Sequence, residues 1–253
     1  MPTAWARPLI GFGLLAVAAA AFAPAALLDA RIREASDGRL RLGDARGWWW
    51  RGAGTLVTAD GTGRMPLGWR VHVGELLRGV RVVDLQDPQT GKILGTVIAR
   101  DREIRLQDVH IVIPAAALGA FDRRLAAVTL GGALALDVPM FTSNAGGLRA
   151  DGLRATWDRA RIVVSDIVVD AGVVTLATPS AGEPGGGRGT GTMQNVGGDV
   201  GVAGTLRENA NGIDLALTLR PTGNTADNVR GLLPLFGTPD GTGSVNVTWH
   251  VGR

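Results

Sequence analysis

The residue types that most often carry catalysis are sparse in this sequence and are not grouped. The three histidines are His72, His110 and His250, and there is no cysteine. A zinc site would therefore have to be assembled across the fold without thiolates, because no two histidines lie at the short spacing of metal ligands. Each histidine falls on the polar side of an alternating pattern, which is typical of a solvent-facing strand residue. We expect neither a bound metal nor another cofactor.

The carboxylates and serines offer no better arrangement for catalysis. Asp101, Glu103 and Asp108 are the closest group of acids, but Asp101 and Glu103 are two apart and would face the same way on a strand, as on a solvated edge. The sequence contains no Gly-x-Ser-x-Gly nucleophile elbow. A hydrolase would need convergent polar residues that the sequence does not supply. We therefore predict a protein that is not an enzyme.

Three consecutive tryptophans, Trp48, Trp49 and Trp50, are the strongest local feature. Successive side chains on a strand alternate between its faces, so at least one ring is expected to be exposed, or to pack on a bilayer or a partner. Alternatively, two rings fill the start of the core and the third lies at its rim. With Trp69 on the next alternating stretch, these are the aromatic candidates for a contact surface.

The balance of charge does not indicate a nucleic-acid partner. Arginine and lysine total 26 residues against 23 aspartates and glutamates, which gives a formal net charge of +3. The basic residues are scattered among the acids, and no run of them forms a patch that could follow a phosphate backbone. We expect no nucleic-acid binding.

Alternation of apolar and polar residues with a period of two dominates the chain after residue 36. It is clearest over 69–73, 134–138, 213–219 and 245–251. This pattern is typical of strands with one buried and one wet face, and turn residues recur every 8 to 12 positions, so we predict a mainly β domain built as a long antiparallel meander. The apolar side of the predicted sheet carries Leu134, Leu136, Leu215 and Leu217.

A few segments interrupt the meander. Residues 74–79, 114–121 and 225–236 are predicted to form short helices or single helical turns. Residues 179–192 contain no apolar side chain larger than alanine or proline, so they predict a flexible loop. A phosphate-binding glycine loop would need a following Gly-Lys-Ser/Thr and a helix, neither of which the sequence shows.

The N-terminal stretch Pro8–Leu28 is uncharged and long enough to cross a bilayer as one helix. A cleaved signal peptide is the alternative, because Arg7 and a run of alanines resemble its n-region and cleavage site. A buried helix of a soluble domain would normally show a polar face, and this stretch has none. We predict an uncleaved anchor, with residues 1–33 as a cytoplasmic stub and transmembrane anchor and residues 34–253 as a β domain outside the cytoplasm.

Several short motifs, in this order, resemble those of a known family. They are Trp50-Arg51-Gly52, Leu67-Gly68-Trp69-Arg70, the pair Leu76-Leu77, residues 104–114, Trp157-Asp158-Arg159-Ala160, and the closing stretch 232–249 with its Asp-Gly and final alternating strand. With the single N-terminal anchor, they resemble the type II secretion system protein N family, whose members are similar in kind to the AsmA-like β-rich proteins. The sequence departs from the family pattern at Gly74-Glu75 and in the glycine-rich segment 179–192.

The resemblance implies a curved antiparallel sheet shaped as a half-pipe, exposed in the periplasm and held at the inner membrane by the anchor. It implies an accessory component of the type II (general) secretion pathway, with the inner-membrane bilayer and other secretion components as its partners. It supplies no catalytic residues. A second hypothesis is a periplasmic lipid-binding or lipid-transfer module, in which the apolar side of the sheet shelters acyl chains.

Overall fold

Fourteen strands in one sheet make up most of the protein. The computed structural model describes residues 23–252 except 60, 62, 121–127, 146, 165–166, 181–188, 210–211, 223–230, 232 and 236. The strands are β1 (Leu40–Trp48), β2 (Arg51–Thr58), β3 (Arg64–Val71), β4 (Arg81–Gln86), β5 (Ile93–Arg100), β6 (Glu103–Pro114), β7 (Thr129–Asn144), β8 (Gly147–Asp151), β9 (Arg154–Val164), β10 (Ile167–Ala177), β11 (Thr190–Val196), β12 (Val200–Asn209), β13 (Gly212–Pro221) and β14 (Val245–Gly252).

The strands follow one another as an antiparallel meander, so the predicted β class and topology are confirmed. Each strand pairs with the next one along the chain, with a single exception around β7. The N-terminal half of β7 pairs with β9, and its C-terminal half pairs with the short β8. Because sequential antiparallel strands need only short connections, turn residues suffice to link them.

The helices are short and lie at the periphery. The helical elements named within the described residues are α1 (Leu27–Ala35), the single turn α2 (Val73–Leu76), and two 3₁₀ turns, Ala115–Ala120 and Leu233–Leu235. The helical segments predicted at 74–79 and 114–121 are therefore present, while most of the third, 225–236, lies outside the described residues. Within the described part of residues 23–252, no helix has the length and apolarity needed to cross a membrane.

The expectation that one helix continues to Leu28 is wrong at its C-terminal end. The chain is extended at Pro24, which forms a bridge with Trp48, and the Ala25 N–H donates to the Gly47 carbonyl at 3.1 Å. Ala25 is buried with Leu42, and Leu28 and Ile32 of α1 pack against the same cluster. Residues 23–33, which the sequence assigned to the stub and anchor, therefore belong to the sheet domain, and residues 1–22 lie outside the described part.

Helix α1 covers the outer edge of β1. The Asp29 carboxylate accepts the Leu42 N–H at 2.8 Å and the Arg33 guanidinium at 2.6 Å. The backbone hydrogen bond from Leu42 is the main reason why the pKa of Asp29 lies below its usual value, and Arg33 adds to the effect. An unpaired edge strand is a template for association with another chain, so this contact protects the N-terminal edge of the sheet.

A series of β-bulges bends the sheet in its middle. Pairing shifts around Gly132 on β7 and around Gly172 on β10, and Arg159 on the strand between them adopts a left-handed φ of 49°. Gly132 and Gly172 have φ values of 92° and 68°, which residues with a Cβ rarely adopt. Because a bulge bends its strand and increases the local twist, bulges on neighbouring strands curve the sheet as a whole.

The curvature is strong enough to bring β8 close to β12. The Ala150 N–H on β8 donates to the Glu208 carboxylate on β12 at 2.8 Å, although β8 pairs with β7 and is not a neighbour of β12 in the order of the sheet. Two buried apolar clusters form the core of the described residues: a larger one has members on strands from β9 to β14, and a smaller one lies between α1, β1 and β3. Most of the predicted loop 179–192 lies outside the described residues, and its last residues belong to the sheet, because β11 begins at Thr190.

Candidate interaction surfaces

The four leucines predicted for the apolar side lie on one face of the sheet, as strand register shows. Leu136 lies opposite Ala155, and a row of paired residues continues from there through Leu176, Met193 and Gly204 to Leu217. Leu134 lies two residues before Leu136 on β7 and therefore faces the same side, and Leu215 has the same relation to Leu217 on β13. All four side chains are half-buried. They lie on strands β7 and β13, which are far apart along the sheet.

Glycine at position 204 allows β12 and β13 to pack closely within this row. A Cβ on Gly204 would lie 2.5 Å from the Ala216 carbonyl oxygen and 2.6 Å from the Leu217 side chain. The Leu217 side chain therefore occupies the space that a larger residue at 204 would need. This face of the sheet is apolar and closely packed at this point, so it is suited to packing against an apolar partner or against the sheet itself.

The tryptophans form a separate group at one end of the sheet. Trp48 ends β1 and Trp49 and Trp50 form the turn into β2, while Trp69 lies on β3. The Trp69 indole N–H donates to the Trp49 carbonyl at 3.1 Å, and the Val71 N–H donates to the Trp50 carbonyl at 2.7 Å. The structure thus places the four tryptophans at one end of the sheet. The ring of Trp69 is buried next to the turn that Trp48, Trp49 and Trp50 form. The four leucines lie on other strands, β7 and β13.

Trp69 is the member of this group that belongs to the core. It is 6% exposed, and a Cβ on Gly52 would lie 2.6 Å from its ring. Trp48, in contrast, is 40% exposed. Of the alternatives for the triple tryptophan, the structure therefore supports a position at the rim of the core for Trp48. The tryptophan inside the core is Trp69 of β3.

Replacement of Trp69 by phenylalanine is expected to lower the free energy of unfolding by about 1–2 kcal/mol, since the indole donor to the Trp49 carbonyl is lost and the ring is smaller. Trp48→Phe is the matched control, and we expect a change of less than about 0.5 kcal/mol because Trp48 is at the rim. Denaturant unfolding of the two variants measures the difference. Equal effects would show that Trp69 does not support the turn.

Sequence reasoning missed the partners of the histidines. Nε2 of His72 lies 2.7 Å from the Asp84 carboxylate, Nδ1 of His250 lies 2.7 Å from Asp214, and Nδ1 of His110 lies 3.2 Å from Asp137. Two of these pairs are directly opposite each other on neighbouring strands. Strand register would have revealed them, because cross-strand neighbours of opposite charge are a common stabilising pair.

These pairs are stabilising contacts on the polar face of the sheet. Hydrogen bonds from His250 and then Asn209 lower the pKa of Asp214, so this contribution to stability is present above the ordinary carboxyl pKa and is lost as the pH falls through the lowered value. The Asp84 carboxylate is buried and also accepts the Thr96 hydroxyl at 3.0 Å. Among the described residues, no three histidines, aspartates or glutamates are arranged to hold a metal ion.

Comparison with known proteins provides the family. The family model for type II secretion system (T2SS) protein N matches residues 38–248, which covers the whole meander from the approach to β1 into β14. The chain belongs to the type II secretion system protein N family. No curated protein and no solved structure matches the chain significantly. Family members are components of a secretion system, which confirms the resemblance drawn from the short motifs.

Family membership fits the way the motifs are used in the fold. Residues 50–52 lie at the tryptophan turn, residues 67–70 contribute Trp69, and residues 157–160 lie at the Arg159 bulge. The motifs at 50–52, 67–70 and 157–160 are thus structural elements of the sheet, whereas Leu76-Leu77 lies in the connection that contains α2, where Leu77 is exposed. The contact surfaces of this member of the T2SS protein N family have to be sought on the faces and ends of its sheet.

Proposed function

We propose that this protein is an inner-membrane accessory component of the type II secretion pathway that supports the export of folded proteins across the outer membrane. The observation that carries the proposal is the family match over residues 38–248. Because the match covers nearly every strand, it concerns the sheet as a unit. The partners are then other components of the secretion apparatus, and the role is non-enzymatic.

We further propose that residues 1–7 are cytoplasmic, that residues 8–22 anchor the chain in the inner membrane, and that the sheet domain begins at Ala23 and lies in the periplasm. The uncharged composition of residues 8–22 supports the anchor. More arginines follow the anchor than precede it, but a domain as long as this one translocates largely regardless of its charge. A C-terminal alkaline-phosphatase fusion should be active in living cells, and an inactive fusion would contradict this orientation.

The protein contacts are proposed to involve the curved sheet, used as an AsmA-like half-pipe. The bulges at Gly132 and Gly172 and the hydrogen bond between Ala150 and Glu208 support the curvature. A curved sheet presents a concave face to a partner that enters it and a convex face to its surroundings. Neither the family nor any comparison favours the lipid-handling alternative, and we do not propose it.

Deletion of the gene tests this function directly. In a strain that secretes an exoprotein through the type II pathway, we expect the exoprotein to accumulate in the periplasm and its appearance in the medium to slow. A plasmid copy of the full chain should restore export. Export at the wild-type rate in the deletion strain, with periplasmic exoprotein unchanged, would contradict the proposed role.

A further inference from the structure

We propose that one end of the sheet lies on the surface of an anionic phospholipid bilayer. This end, which we call the hairpin end, is formed by the tryptophan turn at 48–50, the connection 72–80 that contains α2, and the turn at 101–102. The inference rests on the proposed anchor and adds to it the orientation of the sheet domain, with Leu77 and the tryptophan turn in the membrane interface.

Strand order and direction bring these three connections to the same end. Arg51 pairs with Arg70 and Val71 pairs with Val83, so the start of β2 adjoins the end of β3 and the start of β4. Arg81 pairs with Ala99 in turn, which places the β5–β6 turn beside the start of β4. The β4–β5 connection at 87–92 is consequently at the opposite end of the same strands.

The chain enters the fold at the hairpin end. Trp49 N–H donates to the Ala23 carbonyl at 3.1 Å, and Pro24 is bridged to Trp48. The uncharged run that remains before Ala23 is residues 8–22, about 15 residues. As a helix it is about 22 Å long, so it spans a hydrocarbon core about 30 Å thick only where the bilayer thins around it. An anchor this short leaves no linker between the bilayer and Ala23, so the tryptophan turn is held at the membrane surface.

The side chains at the hairpin end suit the membrane interface. Leu77 is 89% exposed, Val73 is 45% exposed and Trp48 is 40% exposed. Tryptophan is enriched at the level of the lipid headgroups, where its ring contacts the acyl chains and its N–H the polar region. An exposed leucine beside a tryptophan turn therefore gives this end an apolar tip that can enter the interface without unfolding the sheet.

The hairpin end also carries an excess of arginine. Its exposed arginines are Arg46, Arg51, Arg70, Arg78, Arg81, Arg100, Arg102 and Arg105. The carboxylates nearby are Asp44, Glu75, Asp84, Asp101 and Glu103. Glu75 is paired with Arg78, Glu103 with Arg105, and the buried Asp84 with His72. Basic residues near a membrane are attracted to anionic lipids, so the sign of the charge favours the bilayer surface.

An open groove at this end combines both properties. It has a volume of about 490 Å³, and its lining combines Val80 and Ile98 with Arg100, Arg102 and Arg105, the carboxylates of Asp101 and Glu103, and Asn144 and Ala145. An apolar wall next to guanidinium groups fits the boundary between a glycerol backbone and a phosphate, because arginine forms bidentate hydrogen bonds with phosphate oxygens.

Fluorophore labelling of the full chain tests the proposal, and the absence of native cysteine gives each label a single site. Leu77→Cys and Arg102→Cys carry the label at the hairpin end, and Gln89→Cys, in the exposed β4–β5 connection, is the matched control at the opposite end. Each protein is placed in nanodiscs of phosphatidylcholine and phosphatidylglycerol that contain a nitroxide-labelled lipid. We expect the labels at 77 and 102 to be quenched at least about twofold more than the label at 89.

Equal quenching of the three labels in protein that is incorporated into nanodiscs would overturn this inference and leave the anchor intact. Protein that does not enter the nanodiscs would overturn the anchor and, with it, this inference. In nanodiscs of phosphatidylcholine alone, the difference between the two ends should decrease, since the arginines then lack an anionic partner. An unchanged difference would overturn the anionic part of the proposal.

Discussion

Replacement of Gly172 by alanine is expected to lower the free energy of unfolding by about 3–5 kcal/mol, a large part of the 5–15 kcal/mol typical of a folded domain. Gly172 has a φ of 68°, and a Cβ there would lie 2.3 Å from the Val196 carbonyl oxygen and 2.7 Å from the carbonyl carbon of Gly197. These atoms belong to the backbone of the neighbouring strand and its turn, so they cannot move without loss of the bulge. Thermal unfolding followed by circular dichroism should show a melting temperature lower by about 10 °C or more.

Gly91→Ala is the matched control for this substitution. Gly91 has a φ of 70°, and nothing lies within 4 Å of the Cβ that alanine would add. The cost is then the left-handed backbone alone, about 1–2 kcal/mol. If Gly172→Ala destabilises the protein no more than Gly91→Ala, the bulge at Gly172 does not support the curvature of the sheet.

Replacement of residues 1–22 by a cleavable signal peptide is expected to release the sheet domain into the soluble periplasm. The physical reason is that the uncharged run is the only part of the sequence proposed to enter the hydrocarbon core, and hydrophobic burial there is what holds a single-span protein. We expect the variant to be absent from carbonate-washed membranes and to restore export in the deletion strain much less than the full chain does.

The native chain is the control. Whether its N-terminal residues are retained or removed distinguishes an uncleaved anchor from a signal peptide. We expect the native protein to remain in washed membranes with the mass of an uncleaved chain. A native protein that has lost its leader and is soluble would contradict the anchor. Full export by the untethered variant would show that attachment to the membrane is not needed for the function.

The architecture could be predicted from the sequence because apolar and polar residues alternate along the segments that form strands. The pattern at Leu134 and Leu136 and that at Leu215 and Leu217 each identified a strand and its inner face. Short connections between such strands leave the meander as the simplest topology, so the order of the strands followed as well, except that β7 pairs with β9 as well as with β8. The tryptophan cluster was predicted in part. The triple tryptophan is evident in the sequence, but the burial of Trp69 next to it depends on how β2 and β3 pair.

Features that depend on register could not be predicted. An extra residue at a bulge moves every later side chain to the other face, and Arg159 carries no sequence signal for the left-handed backbone that it adopts. The pairing of His110 with Asp137 likewise needs the register of β6 and β7. The boundary of the leader was misplaced for a different reason, because Ala25 and Leu28 are as apolar as a membrane segment but are buried in the fold.

Association with the secretion apparatus is the most direct measure of the proposed role. The full chain, tagged at its C-terminus and expressed at native level, is purified from gently solubilised membranes of cells that are actively secreting. A single-span inner-membrane protein with the same tag serves as the control. Quantitative mass spectrometry should find other type II secretion components enriched with the tagged chain over the control. Recovery of those components at the control level would contradict the proposal that this protein works as part of the secretion system.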